Sequence, residues 1–226
     1  MRVRKPARRP AAAERDRGRP RRPRVVSPVL ALGGCRLDVA GREHLRGDET
    51  VVLVANHASY TDVVVLLAAL PKRFRFVAKR ELLGTPLVGT IMRKGGHLVT
   101  ERIDPARSVA DAEAALGAGT SLFFFPEGTF AADPGLMPFR LGAFKAAVEN
   151  RRAVVPIAIR GTRRLLGADA WVPRPGRVTV TVTPPLRPVG AGWPEMVRLR
   201  DAARAAIAAE CGEPAVVRAP PLADER

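Results

Sequence analysis

Three short apolar runs constrain the fold most: Val51-Val52-Leu53-Val54-Ala55, Leu122-Phe123-Phe124-Phe125 and Val154-Val155-Pro156-Ile157-Ala158-Ile159. Each reads as a buried strand, although proline is unusual inside the third. Weaker strands are expected at Arg36–Val39, Phe74–Ala78 and His97–Thr100, and a last one at Val178–Val182, where valines alternate with threonines. Helical segments lie between them. Thr61 to Leu70 is stopped by Pro71. Asp104-Pro105 supplies an N-cap and first helical residue for a helix that ends near Gly117. Phe144 to Asn150 forms another, and a broken helical stretch runs to about Lys94, before a turn at Gly95-Gly96. Glu195 to Glu210 carries Met196, Leu199, Ala203 and Ile207 on one stripe. Strands alternating with helices predict a single α/β domain, with a mixed, mostly parallel sheet flanked by helices. At 226 residues the chain suffices for one such domain with a substantial core.

The charge is uneven. The net +16 includes +9 in residues 1–24, where eleven Arg or Lys stand among four prolines and only two acids, Glu14 and Asp16. That arm buries no core and is expected to be disordered, and it lacks the apolar core of a secretory signal. Residues 25–211 are the expected domain, and 212–226 an expected disordered tail. The arm suits any polyanion. It contains no aromatic residue to stack on bases, so an anionic membrane surface is the expected partner and nucleic acid is not. Lysine is scarce, five against thirty-three arginines, which also fits a coding bias with no dedicated partner. No stretch reaches the eighteen or so apolar residues of a membrane span. Leu82 to Met92 is apolar but broken by glycine and proline, and basic residues bracket it. It reads equally as an interfacial segment or a core helix with charged ends. Cys35 and Cys211 are far apart with no metal-ligand spacing around them, so a reducing cytosol is the expected compartment.

The first apolar run leads directly into Asn56-His57-Ala58-Ser59-Tyr60-Thr61-Asp62. A strand that ends in a histidine and feeds an apolar helix places the imidazole at a sheet edge, where ligands bind in such folds. Asp62, in the first turn of that helix, is spaced to reach back and orient the ring. An oriented, neutral imidazole is a general base at neutral pH, able to take a proton from an alcohol. The spacing alone carries little: His44 and Glu49 repeat it with a different acid and no buried strand ahead. Asp62 also has a plainer reading, as the third residue after an N-cap at Ser59, close to a capping box.

Three further segments sit at strand-to-loop transitions: Arg102, then Phe125-Pro126-Glu127-Gly128-Thr129, then Pro138 to Phe144 with Arg140. They offer a guanidinium fork, a glycine N–H and a hydroxyl, all suited to phosphate. Each alone also reads as an exposed arginine, a turn glycine or a helix-end cation.

Together with the histidine they resemble the glycerolipid acyltransferases, among them the 1-acylglycerol-3-phosphate O-acyltransferases. The Asn-His-x-Ser-x-x-Asp block of that family is matched at 56–62 and a glycine, short strand and arginine at 96–102. Phe-Pro-Glu-Gly-Thr is matched at 125–129 and the proline-bearing strand at 154–159. The resemblance covers roughly residues 25–190. Phe130-Ala131 stand where the family usually has Arg-Ser, and Arg140 where many members have lysine.

The resemblance implies a fatty acyl transfer from an acyl thioester, acyl-CoA or acyl carrier protein, to a lysophospholipid hydroxyl. The leading acceptor is 1-acylglycerol-3-phosphate, giving phosphatidate. His57 would be the general base and Asp62 its orienting partner. Arg102, Glu127, Gly128, Thr129 and Arg140 would hold the acceptor. No metal, cofactor or serine nucleophile is implied, and the sequence has no Gly-x-Ser-x-Gly elbow. The expected location is peripheral, on the cytoplasmic face of a membrane. Two alternatives stay open on the residues alone: a thioester hydrolase with the same base, and a non-enzymatic polyanion-binding protein.

Overall fold

The computed structural model describes residues 34–71, 73–79, 84, 89–90, 94–95, 97–100, 105–129, 133–166 and 174–216. The basic arm 1–24, most of the 82–92 segment and residues 217–226 lie outside them. Among the described residues, seven strands form one sheet: β1 (Cys35–Ala40), β2 (Val52–Ala55), β3 (Phe74–Lys79), β4 (Leu98–Thr100), β5 (Ser121–Phe124), β6 (Val154–Arg160) and β7 (Gly176–Val182). Their order is β1-β7-β6-β2-β5-β3-β4, and every neighbouring pair is parallel except β6 with β7. The α-helices among the described residues include α1 (Thr61–Ala69), α2 (Pro105–Gly117), α3 (Gly142–Glu149), the single turn α4 (Thr162–Leu165) and α5 (Gly192–Cys211). The expected α/β domain with a mostly parallel sheet is therefore what the chain forms.

The apolar runs are continuous because both faces of the sheet are covered. On one face Leu53, Ala55, Phe74, Phe76, Phe123, Val155 and Ile157 pack with Val65, Leu66 and Ala69 of α1. On the other, Val52, Val54, Leu122 and Val154 meet Leu116 of α2, Phe144 of α3 and the Leu199, Ala203 and Ile207 stripe of α5. Met196, at the head of that stripe, is only partly buried. Proline is tolerated in β6 because Pro156, paired with Val54 of β2, sits in a break in the pairing on its other side. The ladder with β7 begins at Ile157 and Val182, a separate bridge joins Val154 to Leu186, and Pro184-Pro185 stand between. The Pro156 carbonyl is still used, accepting from the Thr183 amide at 2.9 Å and its hydroxyl at 3.0 Å.

Of the expected tail, residues 212–216 are described and bond to a neighbouring loop, where Ala215 bridges to Leu136; residues 217–226 lie outside the described residues. Gly and Pro in that stretch read as a tail, yet its backbone finds partners on another loop. Among the described residues, no helix is long and apolar enough to cross a membrane.

The α5 stripe gives a direct test. Leu199→Ala should cost about 2–5 kcal/mol in urea unfolding, and Met196→Ala clearly less. Equal losses would mean that the stripe is not what seats α5 on the sheet.

Candidate active site

Five parallel strands, β2 to β6, end on the same edge of the sheet, and the candidate residues follow two of them. The chain leaves β2 at Asn56, which is buried and tied to β6. Its amide nitrogen donates to the Ile159 carbonyl at 2.9 Å, and its oxygen accepts the Ile159 N–H at 2.8 Å. His57 comes next.

Asp62 is fully buried, and one oxygen, Oδ2, collects three donors. It lies 2.8 Å from His57 Nδ1, 2.7 Å from the Ala58 amide and 2.9 Å from the Ser59 amide. Two backbone donors on that oxygen mark it as an acceptor, so Nδ1 carries the hydrogen and Nε2 the basic lone pair. The other oxygen, Oδ1, has no hydrogen-bond partner among the described residues. The carboxylate that orients the ring thus also holds the two backbone amides that lead into α1. Ser59 does its share through its side chain. Its Oγ accepts the Thr61 N–H at 3.1 Å and donates to the Leu166 carbonyl at 2.6 Å.

Glu127, carried by the turn after β5, holds the same loop from the other side. Its Oε1 accepts the His57 backbone N–H at 2.7 Å, and its Oε2 accepts the Met137 N–H at 2.8 Å. Burial pushes its pKa up to about 7, against the pull of those two amides, and the negative charges of Asp62 and Glu213 push the same way. Glu127 is expected from the sequence to hold the acceptor; here its side chain is only 4% exposed and its two oxygens accept backbone amides, so it braces the loop.

Gly128 takes φ +77°, a left-handed conformation that suits glycine, and a Cβ there would lie 2.9 Å from Arg140 Nε. The Arg140 guanidinium thus lies across the Gly128 backbone, and the Arg140 amide donates to the Pro126 carbonyl at 2.8 Å. Thr129 follows on the exposed side of the turn. The structure brings His57, Asp62 and Glu127 into one network and Gly128 against Arg140; Arg102 lies outside the described residues.

Phe125 is an addition to the sequence reading. Its ring stacks on the His57 imidazole, with centroids 4.1 Å apart and planes 18° from parallel. Behind it stand Phe76, stacked at 6.0 Å, and then His97, edge-on to Phe76 at 5.2 Å. The signal was the period-two spacing of Phe74 and Phe76 in β3, and of Phe123 and Phe125 across β5. His97 accepts the Phe76 N–H at Nδ1 (3.1 Å), and burial with the nearby Arg75 charge lowers its pKa to about 4. It is a neutral acceptor, not a second base.

Residues 36–160 match the family described as Acyltransferase, more than half of the chain. The chain belongs to the Acyltransferase family. It is 35% identical over 179 residues to the 1-acyl-sn-glycerol-3-phosphate acyltransferase of Chlamydomonas reinhardtii, covering 76% of this chain and 52% of that one. The chloroplastic 1-acyl-sn-glycerol-3-phosphate acyltransferase LPAT1 of Arabidopsis thaliana is 34% identical over 156 residues, covering 67% and 44%. The alpha enzyme of that name from Mus musculus is 30% identical over 178 residues, covering 76% and 62%. The chain thus spans about half the length of these relatives. Among solved structures, the 1-acyl-sn-glycerophosphate acyltransferase PlsC from Thermotoga maritima superposes with a TM-score of 0.66 at 25% identity. That match covers 82% of this chain and 79% of the other.

Glu127 makes a pH prediction for this acyltransferase fold. A carboxylate raised from 4.5 to about 7 leaves the folded state holding an extra proton between those values. Its stabilisation is complete below about pH 4.5 and is lost as pH rises through about 7. Glu127→Gln removes this titration and sets an amide NH₂ against one backbone donor. Wild-type stability minus that of the variant should therefore fall between about pH 5 and about pH 8. A difference that rises with pH would contradict the burial of that charge.

Proposed function

We propose that the protein transfers a fatty acyl chain from an acyl thioester, acyl-CoA or acyl carrier protein, to the free hydroxyl of a lysophospholipid. The acceptor it fits best is 1-acylglycerol-3-phosphate, giving phosphatidate. The observation that carries the proposal is the 2.8 Å contact of His57 Nδ1 with buried Asp62, within a chain matched to the Acyltransferase family over residues 36–160. The names of the relatives support the acceptor.

In this reading His57 Nε2 takes the proton of the acceptor hydroxyl as its oxygen attacks the thioester carbonyl. The tetrahedral adduct collapses, the C–S bond breaks, and the imidazolium returns its proton to the departing thiolate. Products are an ester and a free thiol, with no covalent enzyme intermediate. Asp62 fixes the tautomer that leaves Nε2 basic, and its charge favours the imidazolium. A base so placed contributes about 10²–10⁴-fold. Arg140, beside the Gly128 turn, and Arg102 hold the acceptor's phosphate, with Gly128 N–H and Thr129 adding donors. Glu127 contributes by bracing the backbone. The net charge of +16, concentrated in residues 1–24, suits attachment to an anionic membrane surface on its cytoplasmic face.

The test pairs acyl-CoA and acyl carrier protein donors with lysophosphatidate and measures thiol release with and without acceptor. Release should require the acceptor. His57→Ala should lower kcat about 10²–10⁴-fold with the fold intact, whereas Arg140→Ala and Arg102→Ala should mainly raise the acceptor KM. Thiol release at full rate without acceptor would make the protein a hydrolase instead, and a higher KM for the donor alone would move the phosphate site elsewhere.

A further inference from the structure

We propose that the segment following α5, Gly212–Val216, is a strap that positions the base, with Glu213 as its anchoring residue. The idea rests on the reading of His57 as the base, and it assigns Glu213 a positioning role, not contact with substrate.

The geometry starts at the end of α5. Gly212 adopts φ +70°, the left-handed conformation that closes a helix, and a Cβ there would lie 2.9 Å from Arg160 Nε. The chain reverses, and the Glu213 carboxylate joins two elements. Its Oε2 accepts the Gly135 N–H at 2.6 Å, and its Oε1 accepts Arg163 Nε at 3.0 Å. Both oxygens are charged acceptors, the stronger class of hydrogen bond. The next residues run beside Leu136. The Leu136 N–H donates to the Pro214 carbonyl at 2.8 Å, and the Val216 N–H donates to the Leu136 carbonyl at 3.0 Å. Arg204 of α5 adds a third hold, donating from Nη2 to the Leu136 carbonyl at 2.9 Å and to the Val216 carbonyl at 3.0 Å.

The Leu136 carbonyl and the Met137 N–H belong to one planar peptide unit. At one end that unit is gripped by Val216 and Arg204. At the other it donates to Glu127 Oε2 at 2.8 Å, and Glu127 Oε1 holds the His57 N–H at 2.7 Å. Tilting this peptide therefore moves the carboxylate on which the base's backbone rests. Gly135 shows how closely the strap is seated: a Cβ there would sit on Val216 Cγ2, within contact of nothing else closer than the Pro214 carbonyl at 3.7 Å.

The test uses the full chain. Gly135→Ala should displace the strap, lower kcat about tenfold, the scale of one loosened charge-assisted hydrogen bond, and leave the donor KM unchanged. It should also shift the His57 backbone amide resonance in a spectrum of ¹⁵N-histidine-labelled protein. Adding Val216→Ala removes the colliding methyl and should restore both. Glu213→Ala should mimic Gly135→Ala, with Glu213→Gln regaining part of the loss through its remaining oxygen. Arg187→Ala, which breaks an exposed ion pair with Glu49 (2.7 Å), should change neither readout. A folded Gly135→Ala with wild-type kcat and an unmoved His57 amide overturns the strap. So does a fall in kcat that Val216→Ala does not reverse, since that is general destabilisation. The amide resonance needs no turnover. If His57→Ala proved fully active, the base assignment would fall while the resonance still reported on the strap.

Discussion

The local structure around the candidate base is organised by one oxygen atom, Asp62 Oδ2. It is buried and receives hydrogen bonds from the His57 ring, the Ala58 amide and the Ser59 amide at 2.7–2.9 Å. Hydrogen bonds to a charged acceptor are worth about 1.5–3 kcal/mol each, while burying a carboxylate costs several kcal/mol. Three donors bring the two into the same range. The consequence is a coupling: the atom that turns the imidazole also holds the two backbone amides that lead from β2 into α1.

Fixing the ring to the helix is not sufficient, because the helix must also be fixed to the sheet. Strand order does this. β2 lies between β6 and β5, and each neighbour contributes one clamp at the shared edge. From the β6 side, Asn56 exchanges two hydrogen bonds with Ile159. From the β5 side, Glu127 accepts the next backbone N–H, that of His57. Parallel pairing makes this possible, since it brings the carboxyl ends of adjacent strands together. With β5 antiparallel to β2, the Phe-Pro-Glu-Gly turn would lie at the opposite edge.

Much of this was legible in the sequence where the signal is local. The apolar runs gave β2, β5 and β6 to within about one residue, because a run covered on both faces has no alternation to misread. His57 and Asp62 are five residues apart across a strand-to-helix junction, so their meeting needs no knowledge of the rest. Glu127 was recognised as belonging with them, but its direction was not. A polar residue in a loop reads as facing outward, and its partners, the amides at 57 and 137, are made neighbours only by the finished sheet. Phe125 shows the same limit: it closes an apolar run, and nothing in the run says that its ring covers an imidazole. Residues 212–216 read as a tail because their bonds are almost all backbone or long-range, and such bonds leave little trace in composition.

The surroundings of His57 also have a direction in free energy. On the proposed chemistry the ring is neutral at rest and cationic once it has taken the acceptor's proton. Asp62 interacts more strongly with the cation than with the neutral ring. So does the face of Phe125, 4.1 Å away and nearly parallel, well inside the range of cation–π attraction. Both effects grow as the proton is transferred, so they stabilise the transition state more than the resting complex, and only such differential interactions accelerate a chemical step. Glu127 differs. Burial disfavours its charge, and its oxygens are spent on amides, so its effect on the resting geometry is larger than its effect on the developing charge. On that proposal the two buried carboxylates beside His57 divide the work: Asp62 acts on the proton, and Glu127 on the position of the backbone from which the ring extends.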